Sequence, residues 1–164
     1  MEMMDLHTVE KISTILQARQ ETLSVAESVS AGLMQTAFSS GESASSYFQG
    51  GITTYNLGQK ARHLQLNPIH GDQYDCVSSY SAKCMAENCC HLFLSEWAIG
   101  ITGYASLVPD KGITSLYAYY SIAFNGKEVA NRKINADAQQ NPYQAKIFYV
   151  NQVIREMENA LLKK

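Results

Sequence analysis

Apolar positions along this chain switch repeatedly between a helical and a strand period. Leu6, Val9, Ile12, Ile15 and Leu16 recur at helical spacing, which predicts an amphipathic first helix over 5–20. Residues 22–26 form a short apolar-rich strand. Helical spacing returns over 31–38 and closes at Gly41, leaving Ser28 in a strand-to-helix connection. Residues 43–47 suit a single turn, and 51–55 suit a second strand, where Gly50 and Gly51 permit close approach of another backbone or a ligand. Asn56 is an N-cap for a helix carrying Lys60 and Leu64, so Tyr55 at the strand end and Lys60 a turn later would face one cleft.

Beyond a loop containing Pro68 and Gly71, a helix over 79–94 leads into Trp97-Ala98-Ile99-Gly100-Ile101-Thr102-Gly103, an unbroken apolar run typical of a central strand. A tyrosine-rich strand over 115–124 meets Asn125-Gly126, a strong hairpin signal, and pairs antiparallel with 128–134. Pro142 stands near the start of a last helix with Ile147, Val150, Val153, Ile154, Met157 and Leu161 on its apolar face. Helices between the early strands and a late hairpin define a three-layer α/β/α sandwich with a mixed, mostly parallel sheet, in one domain over 1–164. In such sheets ligands gather at the carboxyl ends of the strands, where Ser28, Tyr55, Thr102 and Gly103 fall.

Composition narrows the partners. A chain of 164 residues with 46% hydrophobic and 17% charged residues has the profile of a globular domain. Its net charge of −2, without blocks of like charge, argues against nucleic acid and against a charged membrane surface, and favours small-molecule or protein partners. The start, Met1-Glu2-Met3-Met4-Asp5, is acidic, and no apolar run approaches the roughly 20 residues needed to span a bilayer, so a cytoplasmic location is expected. Cys76, Cys84, Cys89 and Cys90 are then expected as thiols. Cys84, Cys89, Cys90 and His91 lack paired metal-ligand spacing, so no metal and no cofactor is expected. His7, His63, His70 and His91 are scattered, which disfavours a serine-histidine triad.

The chemistry concentrates in Ala26-Glu27-Ser28-Val29-Ser30-Ala31-Gly32 and Phe48-Gln49-Gly50-Gly51-Ile52-Thr53-Thr54-Tyr55-Asn56, followed by Lys60. A serine hydroxyl needs a base to become a nucleophile, and a buried neutral lysine is one solution. A purely structural reading of the same residues is also available: Ser28 or Ser30 as an N-cap, Tyr55 as a strand residue, Lys60 as a solvated helix position. The two segments resemble the AESCTGG and FxxGGxxxYSNxxK patterns of the C-terminal domain of CinA and its stand-alone relatives, the nicotinamide-nucleotide amidohydrolases. The resemblance implies a serine amidase that releases ammonia from nicotinamide mononucleotide and leaves nicotinate mononucleotide. It assigns Ser28 as nucleophile, Lys60 as base and Tyr55 as relay or support. Ser30, Gly32, Gly50, Gly51, Thr102 and Gly103 would line the substrate site, with backbone N–H groups around Ser30, Ala31 and Gly32 receiving the oxyanion.

The second half departs from that family. Its GIAGPDGG segment reads here Gly103-Tyr104-Ala105-Ser106-Leu107-Val108-Pro109-Asp110-Lys111-Gly112, placing bulky side chains where small ones are usual. The PVGTVY stretch is replaced by Ile113-Thr114-Ser115-Leu116-Tyr117, and no arginine follows in 135–146, where Lys146 offers a point charge instead of a bidentate grip. An amidohydrolase acting on a pyridine nucleotide and a silent relative serving as a ligand-binding or regulatory module are therefore both carried forward. A homo-oligomer is compatible with either.

Overall fold

The computed structural model describes residues 3–164; Met1 and Glu2, at the head of the acidic N-terminal stretch, lie outside the described residues. The element order is α1 (Leu6–Arg19), β1 (Leu23–Glu27), α2 (Leu33–Ser39), β2 (Phe48–Thr53), α3 (Leu57–Leu64), α4 (Pro68–Gln73), α5 (Ser79–Phe93), β3 (Trp97–Gly103), β4 (Leu116–Phe124), β5 (Lys127–Ala136) and α6 (Pro142–Leu162). The five strands form one sheet in the order β2-β1-β3-β4-β5. β1 runs parallel to β2 and β3, while β3-β4-β5 are antiparallel. The sheet is mixed as expected, with a smaller parallel share than the sequence suggests, because the Asn125-Gly126 hairpin and the short return from β3 both reverse the chain.

Alternation along the strands separates the two faces. Leu23, Val25, Trp97, Ile99 and Ile101 join α1, α2 and α6 in the larger core cluster, whereas Ala26, Ala98 and Ala123 meet Leu64 of α3 and Met85, Ala86 and Cys89 of α5. The small residues on the second face let α5 lie directly on the sheet. A Cβ at Gly100 would sit 2.5 Å from the Ala82 carbonyl oxygen and 2.6 Å from the Ala86 nitrogen.

Several boundaries move for identifiable reasons. α1 is bracketed by Asp5, whose side chain accepts from the Thr8 N–H, and by Gln20 in a left-handed conformation. α2 starts at Leu33 because Ala31 (φ 48°) and Gly32 (φ 98°) turn the chain first, and it ends before Gly41, where an added Cβ would collide with the Tyr47 hydroxyl. β2 spans Phe48–Thr53, so Tyr55 lies beyond the strand. The loop expected around Pro68 and Gly71 contains α4, started by Pro68 at N1 and by the Asn67 side chain, which accepts from the Ile69 and His70 N–H groups. Among the described residues, no helix is long and apolar enough to cross a membrane. All four cysteines are free thiols.

Candidate active site

The parallel strands β1, β2 and β3 bring their carboxyl ends to one edge, with Glu27 in register with Thr53 on one side and Ile101 on the other. Ser28 is the first residue past β1. Its N–H donates to the Ile101 carbonyl (3.1 Å) and its own carbonyl accepts from the Ala31 N–H (3.2 Å), fixing a tight turn. Glu27 anchors that turn from below. It is completely buried, and its carboxylate accepts from the Ser30 hydroxyl (2.6 Å) and from the N–H groups of Gly32 (2.8 Å), Met34 (3.2 Å) and Gln35 (2.6 Å). A carboxylate on the unpaired amides of a helix start is favoured by both hydrogen bonding and the helix dipole.

Lys60 arrives from α3, whose start is fixed by the Asn56 side chain accepting from the Gln59 N–H. It is only 2% exposed, yet it carries an amine. Its Nζ lies 2.9 Å from Ser28 Oγ and donates to the Thr54 carbonyl oxygen at 2.8 Å. Thr54 is itself tied to β1 through its N–H and the Glu27 carbonyl (2.8 Å), so the two strand ends set the serine–lysine distance. Among the described residues, no carboxylate lies within ion-pair distance of Lys60. Burial pushes its pKa down from the usual lysine value, against smaller opposing effects of Cys76 and Asp75. Once deprotonated, the amine can keep one N–H on the Thr54 carbonyl and turn its lone pair to the Ser28 hydroxyl.

Ser28 and Lys60 open on a cleft of about 460 Å³ whose walls include Tyr55, Asp75, Cys76, Thr102, Tyr104 and Lys146. The expected site residues divide sharply. Tyr55 is at the cleft but 69% exposed, and among the described residues it bonds to neither Ser28 nor Lys60. The support for the lysine comes from the Thr54 carbonyl instead. Thr102 and Gly103 line the cleft; the Thr102 hydroxyl is spent on the Cys76 carbonyl (2.9 Å), and Gly103 is required by the 2.6 Å that would separate its Cβ from Ala118 Cα.

Ser30, Gly32, Gly50 and Gly51 do not line the cleft. The Ser30 hydroxyl and the Gly32 N–H belong to Glu27, and the Ala31 N–H belongs to Ser28, which removes them as oxyanion donors. Immediately after Ser28, the Val29 and Ser30 N–H groups have no acceptor among the described residues. Gly51 serves packing, because an added Cβ would meet the Gln35 and Val25 side chains at 2.6 Å, and Gly50 supplies a left-handed backbone (φ 121°), with room for an ordinary contact to the Phe93 ring.

Asp75, Cys76 and Thr54 escaped the sequence reading. Asp75 and Cys76 adopt consecutive left-handed conformations (φ 51° and 59°) without glycine, and no local pattern announces that. Glu27 was visible inside the Ala26–Gly32 segment but carried no role there. None of the four histidines lines the cleft. No group of three or more His, Cys, Asp or Glu among the described residues is arranged to hold a metal ion.

Residues 5–148 match the family model of the CinA C-terminal domain. A CinA-like protein of Trichormus variabilis is 34% identical over 127 residues, covering 76% of this chain and 30% of that protein. A competence-damage inducible protein of Streptococcus uberis is 37% identical over 100 residues, covering 61% and 23%. The chain thus spans less than a third of the length of these relatives. The fold is shared with the CinA superfamily protein of Klebsiella pneumoniae (TM-score 0.89, 18% identity, 97% of this chain and 98% of that one). It is also shared with the competence/damage inducible protein of Agrobacterium tumefaciens (TM-score 0.85, 17% identity, 98% and 99%). The extended match over 5–148 and the shared sheet lead to one assignment: this chain belongs to the family of the CinA C-terminal domain.

Proposed function

We propose that the chain is a serine amidohydrolase in which Ser28 attacks a carboxamide and Lys60 manages the protons. The observation that carries this reading is the 2.9 Å contact between Lys60 Nζ and Ser28 Oγ inside a cleft, with the amine buried and unpaired by any carboxylate among the described residues. As the Ser28 oxygen bonds to the carbonyl carbon, its proton passes to Lys60. The tetrahedral oxyanion is met by the N–H of Val29, which lines the cleft beside Ser28. Lys60 then protonates the departing nitrogen, the C–N bond breaks, ammonia leaves and an ester remains on Ser28. Water repeats the sequence on the ester, giving its proton to Lys60 and releasing the acid, and Lys60 returns the proton to Ser28. A positioned base of this kind contributes about 10²–10⁴-fold.

By the family resemblance, the substrate is a pyridine nucleotide such as nicotinamide mononucleotide. Lys146 is the lining cation left for its phosphate, and a single ammonium grips phosphate less specifically than a guanidinium, so weak binding of that nucleotide is expected. Tyr104 in the cleft wall, where the family's GIAGPDGG pattern has isoleucine, adds an aromatic ring to the site and favours a second reading as a ligand-binding module without turnover. Ammonia release from nicotinamide mononucleotide and a panel of simple amides, with Ser28→Ala as control, separates the two. Release that disappears in Ser28→Ala supports hydrolysis, equal release in both proteins refutes Ser28 as nucleophile, and ligand binding without release selects the second reading.

A further inference from the structure

A second cavity, of about 430 Å³, lies between β5 and the last turns of α6, with Trp97, the first residue of β3, in its wall. Its size is within the roughly 300–1,000 Å³ of small-molecule sites. The length of β3, on the order of 20 Å, separates Trp97 from Gly103 in the serine–lysine cleft. Arg132 pairs in register with Tyr120, which puts it, with Ala130 two positions earlier, on the face of the sheet that α6 covers. The helix brings Ala160 to the same cavity, and the short side chains of Ala130 and Ala160 leave the space between sheet and helix open.

Charge distinguishes this cavity. Arg132, Lys163 and Lys164 line it against one carboxylate, Glu156, whose Oε2 accepts from the Tyr120 hydroxyl at 3.1 Å. None of the ion pairs among the described residues includes any of the three cations. Lys164 Nζ rests over the Phe124 ring, 3.1 Å from its centroid, and 5.9 Å from that of Trp97. The helix dipole favours lysines at a helix C-terminus, which accounts for Lys163 without a ligand. It does not account for Arg132, which arrives from a strand, or for the open space between them. Like charges gathered around one cavity repel each other, and a bound anion relieves that repulsion.

We propose that this cavity is a second ligand site, separate from the serine–lysine cleft, and that it binds a small phosphate monoester with a short apolar body. Three cations less one carboxylate leave a side-chain charge of +2, which matches the charge of roughly −1.5 to −2 on a phosphate monoester at pH 7. The Arg132 guanidinium can grip the phosphate through two parallel N–H···O bonds, Lys163 adds a point charge, and Val129, Ala130 and Ala160 form the apolar wall.

Trp97 is the single tryptophan of the chain, so its emission reports this cavity and not the distant cleft. The full chain is titrated with phenyl phosphate, inorganic phosphate and benzyl alcohol, by fluorescence and by calorimetry. Phenyl phosphate should change the emission saturably, and the other two, each lacking half of the ligand, should bind about tenfold more weakly or worse. Arg132→Gln and Lys163→Gln, both at exposed positions, should each weaken phenyl phosphate about tenfold, whereas Lys146→Gln, in the cleft, should leave the Trp97 response unchanged. Binding heat that disappears in Arg132→Gln supports the site even where the emission is silent. The absence of saturable binding in both measurements overturns the inference, as does binding unaffected by Arg132→Gln and Lys163→Gln. Weakening by Lys146→Gln alone places the phosphate in the cleft and also overturns it. Inorganic phosphate bound as tightly as phenyl phosphate overturns the assignment of an apolar body to the ligand.

Discussion

Replacing Glu27 by glutamine tests whether the turn that presents Ser28 is held by one buried carboxylate. Three donors converge on Oε2 (Ser30 hydroxyl, Gly32 and Met34 N–H) and one on Oε1 (Gln35 N–H), at 2.6–3.2 Å. Glutamine retains a single acceptor oxygen. Its best orientation keeps that oxygen toward the three donors and turns its NH₂ group against the Gln35 N–H, leaving a buried donor unmet at about 1–3 kcal/mol. The three remaining bonds lose their ionic character, at roughly 0.5–1 kcal/mol each. Because partial relaxation offsets some of this, Glu27→Gln is expected to lose about 3 kcal/mol in urea unfolding at unchanged m-value. Hydrogen exchange should accelerate at Gly32, Met34 and Gln35 before it does in β1 or β3. A variant within about 0.5 kcal/mol of wild type, with protection intact at those three amides, would refute the anchoring argument.

Three further outcomes follow from the structure. Gly100→Ala puts a methyl group 2.5–2.6 Å from the backbone of α5, so the helix must lift from the sheet; a loss of about 1–3 kcal/mol in thermal or urea unfolding is expected, and neutrality would mean that α5 does not lie against β3 as described. The pKa of Lys60 is lowered by burial, and a base works only when unprotonated, so kcat/KM should rise with pH to a plateau, with its midpoint below the ordinary lysine value of 10.5. Lys60→Arg, permanently charged, should lose turnover at every pH, and retained activity would exclude Lys60 as base.

What the sequence made legible was whatever local chemistry writes locally. The Asn125-Gly126 turn, the Trp97–Gly103 apolar run and the Asn56 cap each depend on neighbouring residues, and each is found where it was read. Ser28 and Lys60 stand in segments distinctive enough to be singled out, although their 2.9 Å contact depends on a parallel pairing of β1 with β2 that no local signal encodes. Long-range placement hid the rest. Tyr55 reads as a strand end, but β2 stops at Thr53 and the carbonyl of Thr54 takes the supporting role. Gly50 and Gly51 read as a ligand approach, but Gly50 supplies a positive φ and Gly51 leaves the space that Gln35 and Val25 need. α4 is six residues long and starts on an Asn-Pro pair that looks equally like a turn. The left-handed Asp75 and Cys76 bring the α4–α5 connection into the cleft through contacts with Tyr104, Lys111 and Thr102, which lie about 30 residues away in sequence.

The central claim is that Lys60 makes the Ser28 hydroxyl a nucleophile. Intact and peptide-mapped mass spectrometry after incubation with a small fluorophosphonate reads that directly, because an activated serine forms a phosphorus–oxygen bond as fluoride leaves, and an unactivated one does so far more slowly. The account predicts a single adduct on Ser28 in wild type, none in Ser28→Ala, and labelling slowed about 100-fold or more in Lys60→Met. Labelling of Ser28 at an unchanged rate in Lys60→Met, or an adduct on another residue in its place, would contradict it.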